Sequence, residues 1–501
     1  MNYIILSVFM RISILFLLLA LSGPSHAYPQ PTRLVSGMVI SGEGSGPLEG
    51  VAVGVKGTNI ISGSQQDGMF YIEVPANDSI LVFAHDEYQT TEIRLAGGNE
   101  YHVVLNKGRN RPQTRAAVSV SGAWRAVFDI RPGVEVPFNF EIRTTEGGGL
   151  KAFFRNADEW FEGGRVLQTA DSLYILLDQF DNELAFRVQP DGLNGVLRKQ
   201  DGSGSPLPVR AAPGITYRFE DNGIPPSRDL SGTYDVTFTT ANGKEEKSVG
   251  LFRQQGNKLS GTFLHITGDS RYLEGIVEGN DFYLSSFFGS GPAYYKGTFT
   301  ADGHITGETV GVHGGQQFTG VLNSSAALPD AYRLTWLKEG YTSFDFSFPD
   351  INGHLISPRD EKFKNKVVII TIGGTWCPNC VDETSFLAPF YKANQARGIE
   401  VISIQYERQT DSAFVRKVLT RMRQRYDIQY DQVLGGIADK QAVAASLPAL
   451  NTFLAFPTTI FIDKKGRVAK IHTGYTGPAT GQYYQDFVKE FKGEVDELVR
   501  E

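Results

Sequence analysis

Between residues 34 and 105 apolar and polar positions alternate in short runs separated by glycine-rich turns. The segments "PLEGVAVGVKGT" (47–58) and "QDGMFYIEV" (66–74) follow a period of two, the pattern of half-buried β-strands. A polar, basic stretch, "NKGRNRPQTR" (106–115), interrupts the pattern, and strand-like runs with frequent turn signals then resume as far as residue 327. Within this middle region "VSGAWRAVF" (120–128) returns as "LSGTYDVTF" (230–238). Gly164 with Asp171, Leu173 and Tyr174 is echoed by Gly275 with Asp281, Phe282 and Tyr283, and Asp191-Gly192 by Asp302-Gly303. A fixed long period signals a duplicated unit. The expectation is two similar antiparallel β units, at 116–226 and 227–327, barrel-like or sandwich-like. Trp124, Trp160, Tyr234, Phe263 and Phe287 are expected in their cores, with a ligand-lined cavity as the alternative.

The pattern changes after residue 331. Strand-like "KVVIITI" (366–372), "EVISIQ" (400–405), "TTIFID" and "GRVAKIHTG" now alternate with helical stretches ending near 396, spanning about 412–425, and closing the chain near 499. Strands alternating with helices predict an α/β layer fold over 331–501. The fold class is thus multidomain, with β-rich units followed by a C-terminal α/β domain.

The length of 501 residues suits three or four such domains. A net charge of −7 gives no reason to expect nucleic acid, and no basic run suggests an anionic membrane surface. At the N-terminus Arg11 precedes an apolar run over 12–21, and "SGPSHA" ends in small residues, which reads as an export signal over 1–27 cleaved after Ala27. An uncleaved anchor is the alternative. No cysteine lies near the cleavage site, which argues against a lipid-modified N-terminus. Export places the protein in the periplasm or on the outer face of the cell envelope, where thiols meet oxidising conditions.

The chain holds 2 cysteines, and both lie in "GGTWCPNCVDE" (373–383). A redox dithiol, half of a metal site and a small structural disulfide are the readings to separate. Cys377 falls where a buried strand ends and a helix begins, and Pro378 suits a first helical turn that needs no amide N–H. A sulfur there faces unpaired N–H groups and the positive end of the helix dipole, which favour thiolate. Cys380 falls one turn inside, shielded. An attackable outer sulfur and a protected inner one suit thiol–disulfide exchange. Zinc needs four ligands, and there is no second cysteine pair and no histidine close to the motif, so no metal is expected. A disulfide closing so small a loop constrains the unfolded chain little. No phosphate loop or other cofactor motif is present, and no cofactor is expected; His354 and His472 carry no catalytic expectation.

Two resemblances sharpen this reading. Gly50-Val51-Ala52-Val53, Gly57-Thr58, and Asp67-Gly68 followed by Phe70 resemble the carboxypeptidase-regulatory-like β-sandwich at the front of many exported bacterial proteins, covering 34–106 and implying a spacer or docking module. Phe348-Pro349-Asp350-Ile351-Asn352-Gly353, Trp376-Cys377-Pro378-Asn379-Cys380 behind its strand, and Phe456-Pro457-Thr458-Thr459 resemble exported thioredoxin-fold thiol–disulfide oxidoreductases of the TlpA and ResA-like family, within the AhpC/TSA grouping. The resemblance implies a redox-active Cys377–Cys380 disulfide and a cis Pro457 beside it. Trp376, Pro378, Phe456 and Pro457 would then contact an extended substrate segment, and Glu383 would exchange a proton with Cys380. Its implied partners are disulfide-containing protein substrates and a membrane or periplasmic electron donor. Gly373-Gly374 and the Pro-Asn dipeptide depart from the family pattern, and Asp382 is expected to be a solvated first-turn acid. A peroxiredoxin-like antioxidant enzyme is one alternative, although its pattern needs proline and threonine where this chain has Ile370 and Gly374. A partner-binding β protein with a non-catalytic disulfide is the other. Nothing in the sequence sets the oligomeric state.

Overall fold

The computed structural model describes residues 32–108 and 120–501, apart from 45, 57, 59, 66, 77–78, 86, 146–148, 170, 201 and 312–313. The expected export signal, Gly57 and most of the basic linker lie outside the described residues. The alternating pattern at the front of the chain forms two sheets. In one, Thr32–Ser41 pairs antiparallel with Met69–Pro75 and parallel with Glu100–Leu105. The other runs in the order Ile61–Gly63, Ala52–Val55, Ile80–His85, Tyr88–Arg94. The apolar alternate positions of both sheets, among them Val35, Val39, Val53, Phe70, Phe83 and Val103, meet in one shared core.

The middle region forms two closed barrels. In the first, eight strands from Gly122–Arg131 to Leu207–Pro213 each pair with the next, and the last closes on the first. In the second, from Gly232–Thr239 to Gln317–Leu322, the ring closes because Glu245–Gln255 pairs with both of its sequence neighbours and the last strand returns to the first. Two strands of this barrel matter for the site: β1 (Lys258–His265) and the two-residue β2 (Gly268–Asp269), which pairs with it. Trp124, Tyr234, Phe263 and Phe287 are buried, but Trp160 is 47% exposed, which corrects the expectation of a core residue. The period-two pleat explains the difference. Phe161 points into the barrel, so Trp160 must point out, where the Arg143 guanidinium lies 4.6 Å from its ring centre. Phe287 belongs in sequence to the second barrel, yet packs 4.9, 4.7 and 5.1 Å from Phe128, Phe138 and Phe154 of the first. Asn156 of the first barrel both donates to the Phe287 carbonyl and accepts from its N–H, each at 3.0 Å.

The C-terminal domain is a five-stranded sheet with helices on both faces. Its strands are β3 (Val367–Gly373), β4 (Ile399–Glu407), β5 (Asp431–Ile437), β6 (Thr458–Ile462) and β7 (Val468–Thr473), in the order β5-β4-β3-β6-β7. β3, β4 and β5 run parallel, whereas β6 and β7 run antiparallel to their neighbours. The helices are α1 (Pro378–Asn394), α2 (Ser412–Tyr426), α3 (Lys440–Ser446) and α4 (Gln482–Arg500). Every residue of β3 is buried, as a central strand covered on both faces requires. Val367 and Ile369 face the side covered by α1, α2 and α4, while Ile370 and Ile372 face the side that holds Val443 and Leu447.

A buried ion cluster seats α2 on the first barrel. Lys417 and Arg421 reach Asp181 at 2.7 and 3.2 Å, and all three side chains are largely shielded from solvent. Burial alone would raise the pKa of Asp181, but Lys417 and Arg421 outweigh it and hold the carboxyl below its ordinary range. Asp181→Asn tolerates the left-handed backbone at this position and removes the charge, leaving two buried cations short of a partner. Urea denaturation at pH 7 should show a loss of about 3 kcal/mol, and the loss should start to shrink only as pH falls below the ordinary carboxyl value of 3.8 and through the lowered native value, where the wild-type carboxylate also loses its charge.

Candidate active site

The strand-to-helix turn after β3 assembles the site. Gly373 ends the strand, Gly374 to Trp376 form a turn closed by the Cys377 N–H on the Gly374 carbonyl at 3.1 Å, and Cys377 caps α1 in an extended conformation with Pro378 as the first helical residue. The Cys377 sulfur accepts the Cys380 N–H at 3.3 Å, taking up one of the amides a helix start leaves unpaired. Cys377 and Cys380 form a disulfide with their Cα atoms 5.2 Å apart.

The loop before β6 faces this turn. The Phe456–Pro457 peptide bond is cis, and the Phe456 carbonyl oxygen lies 3.6 Å from the Cys377 sulfur. The Pro457 carbonyl accepts the Gly474 N–H at 2.9 Å, which ties the loop to the end of β7. Trp376 packs edge-on against Phe456, ring centres 5.4 Å apart, and its indole N–H donates to the Tyr406 carbonyl at 2.8 Å. That indole position explains Gly374: a methyl group there would fall 2.4 Å from the indole nitrogen and 2.5 Å from the Tyr406 oxygen. Three residues after Cys380, and therefore on the same face of α1, Glu383 is buried. Burial pushes its carboxyl up to about 7, opposed by a hydrogen bond from the Thr459 hydroxyl at 2.5 Å. Cys377, Cys380, Trp376, Pro378, Phe456, Pro457 and Glu383 are thus gathered around one turn and the loop facing it.

Residues 338–485 match the protein family described as Redoxin. The thiol-disulfide oxidoreductase ResA of Bacillus subtilis (strain 168) is 26% identical over 153 residues, covering 30% of this chain and 77% of that protein. ResA of Geobacillus kaustophilus is 29% identical over 140 residues, covering 28% of this chain and 72% of that protein. Among solved structures, a thiol-disulfide oxidoreductase from Bacteroides fragilis aligns over 30% of this chain and 99% of its own, at 18% identity and a TM-score of 0.23. The C-terminal domain thus carries the Redoxin match and is similar to thiol-disulfide oxidoreductases.

Two features of the oxidoreductase domain differ from what its sequence suggests. The Cys377 sulfur was expected to be open to solvent, but Cys377 and Cys380 are only 5% and 3% exposed. Asp382 was expected to be solvated, yet it is mostly buried and pairs at 2.7 Å with Arg271 of the second barrel. The Cys377 sulfur faces the Phe456 carbonyl, and the barrels pack against the residues on either side of it at the start of α1. Val381 joins the apolar cluster of the first barrel, and Gln179 donates to the Thr375 carbonyl at 2.9 Å. His472 is buried with Nδ1 3.0 Å from the Gly474 carbonyl, and burial lowers its pKa to about 4. His354 is exposed beside Asp350. Among the described residues no group of His, Cys, Asp and Glu is arranged to hold a metal ion.

Glu407, at the end of β4, is a site residue that sequence reading missed. Its carboxylate accepts both the Thr375 N–H and hydroxyl at 2.9 Å, holding the turn that carries Trp376 and Cys377. The available signal was a carboxylate at the C-terminal end of the strand-like run "IEVISIQYE" (399–407). Burial pushes Glu407 up to about 7, against those two hydrogen bonds. Because its native pKa lies above the ordinary 4.5, the native state holds the proton more tightly, so this contribution to stability is full below about 4.5 and is lost as pH rises through 7. Glu407→Gln should therefore unfold at higher urea than wild type at pH 8, by about 2 kcal/mol, with the gain vanishing near pH 4.5. An equal gain at both pH values would mean that the wild-type carboxyl does not titrate in this range.

Proposed function

We propose that the protein reduces protein disulfides outside the cytoplasm, using Cys377 and Cys380 as a dithiol. The observation that carries this reading is the Cys377 sulfur at the start of α1, accepting the Cys380 N–H and facing the Phe456 carbonyl of the cis-proline loop. In the reduced enzyme the Cys377 thiolate attacks one sulfur of a substrate disulfide, forming a mixed disulfide and releasing the other sulfur as a thiol. Cys380 then gives up its proton and attacks Cys377. The Cys377–Cys380 disulfide forms, the second substrate thiol leaves, and two electrons have passed to the substrate. A protein dithiol outside the cytoplasm regenerates the reduced state.

Glu383 accepts the Cys380 proton in this scheme, and its pKa near 7 lets it take and return that proton at neutral pH. Trp376, Pro378, Phe456 and Pro457 form the surface on which an extended substrate segment lies. Burial of both sulfurs disfavours thiolate, and no basic residue lies between the cysteines or directly after them in sequence, so the reduced form is not specially stabilised. The couple therefore belongs among reductants. On this reading a signal at 1–27 directs export, 34–106 is a carboxypeptidase-regulatory-like spacer, 116–226 and 227–327 are two copies of one unit, and 331–501 carries the chemistry. Among the described residues no helix is long and apolar enough to cross a membrane.

The full chain should accelerate insulin reduction by dithiothreitol, and Cys377→Ser should remove the acceleration. Equilibration with glutathione should give a potential closer to about −270 mV than to about −120 mV; a value at the oxidising end would overturn the direction of electron flow. In single-turnover experiments, the resolving step should speed up as pH rises through about 7, where Glu383 loses its proton and becomes a base. Glu383→Gln should be at least tenfold slower at pH 8 and lose that inflection, and an unchanged profile would remove Glu383 from the proton path.

A further inference from the structure

The sulfurs of a dithiol that acts on proteins must reach a substrate, yet here Cys377 and Cys380 are buried, and a specific part of this chain lies against the turn that carries them. That part is the turn Ile266–Thr267 between β1 and β2 of the second barrel. A methyl group on Gly268 would fall 2.1 Å from the Asn379 side-chain nitrogen, between the two cysteines in sequence. A methyl group on Gly474 would fall 2.2 Å from the Ile266 carbonyl oxygen, and one on Gly477 2.5 Å from the Asp269 carboxylate. Gly474 is the residue whose N–H bonds the Pro457 carbonyl. The hairpin thus touches the Cys377–Cys380 turn on one side and the strand end behind the cis-proline loop on the other. Close backbone approach at three glycines is what allows it to lie so near.

Arg271, just beyond β2, fastens the hairpin. Its guanidinium pairs with Asp382 on α1 at 2.7 Å and with Glu159 of the first barrel at 2.5 Å, and stacks 4.5 Å from the Phe288 ring centre. Burial disfavours a charged Arg271, but Asp382 and Glu159 outweigh burial and hold it firmly protonated.

We propose that the β1–β2 hairpin is a removable cover over the Cys377–Cys380 site, fastened by the Arg271–Asp382 pair and lifted before a substrate protein can engage. This rests on the disulfide-reductase reading for its purpose, though not for its test. The hairpin stands beside the cis-proline loop, where an extended substrate segment would have to enter, so cover and substrate compete for the same ground. The contacts of the turn itself are polar side chains and close backbone, as in interfaces that open, while the apolar contact of β1, Leu264 in a cluster with Tyr483, lies on the strand and not on the turn.

The test is the alkylation rate of the reduced full-length chain by iodoacetamide and by a maleimide carrying a large polyethylene glycol chain. With the cover in place, wild-type thiols should react at least tenfold more slowly than in the same chain unfolded in urea, with the larger reagent slowed further. Arg271→Gln should raise the native rate at least fivefold with the circular dichroism spectrum unchanged. Should that variant fail to fold, Asp382→Asn cuts the same fastening and leaves Arg271 held by Glu159. Native wild-type thiols reacting as fast as unfolded ones would overturn the cover, whatever the insulin assay gives. Slow thiols that neither variant speeds up would overturn its fastening by Arg271. An Arg271→Gln protein whose native thiols react fast but which still fails to reduce insulin would retain the cover and lose the reductase reading.

Discussion

A helix that begins immediately after a buried strand leaves its first amide groups without partners, and in this protein a sulfur takes up one of them. The Cys377 side chain accepts the Cys380 N–H, so cap, disulfide and first helical turn are one object. Much else serves to hold that turn in place. The full burial of β3 fixes where the turn starts, Gly374 lets the Trp376 indole reach across to Tyr406, and Glu407 holds Thr375 from beneath. The cis-proline loop closes the opposite side, with the Phe456 carbonyl against the sulfur.

The three β units bear on this site unequally. Nothing described at the site comes from the N-terminal pair of sheets. The first barrel carries the α2 ion cluster and places Gln179 on the Thr375 carbonyl. The second lays its β1–β2 hairpin against the cysteine turn and sends Arg271 to Asp382. The cysteines and the carboxylates around their turn are buried. Burial raises the carboxyls of Glu383 and Glu407 into the neutral range, where a proton can be exchanged at little cost.

Local pattern made the oxidoreductase domain legible. The strand–helix alternation, the cysteine spacing and Phe456-Pro457 lie within short windows, and the four strands and three helices read there do form, whereas β5 and the short α3 went unread. The strand character of the middle region was equally clear from its turn signals, but closure into barrels was not. Closure depends on the last strand returning to the first, as Gln317–Leu322 does to Gly232–Thr239, and no local window contains that pairing. The same limit explains the errors at the site. Asp382 looks like a solvated helix acid until Arg271, 111 residues earlier, is brought beside it, and Cys377 looks exposed until the Phe456 carbonyl of the cis-proline loop, 79 residues later, is brought against its sulfur. Trp160 was misplaced for a different reason: an aromatic residue in a strand says little about which face of the pleat it occupies.

The central claim is that Cys377 is the attacking sulfur and Cys380 the resolving one. The most direct test is to incubate reduced full-length Cys380→Ser with a disulfide-containing protein and identify covalent adducts by mass spectrometry. The account predicts a stable mixed disulfide at Cys377, and little or none at Cys380 in the Cys377→Ser counterpart. Adducts of equal yield in both variants, or in neither after the chain has been loosened by Arg271→Gln, would contradict it.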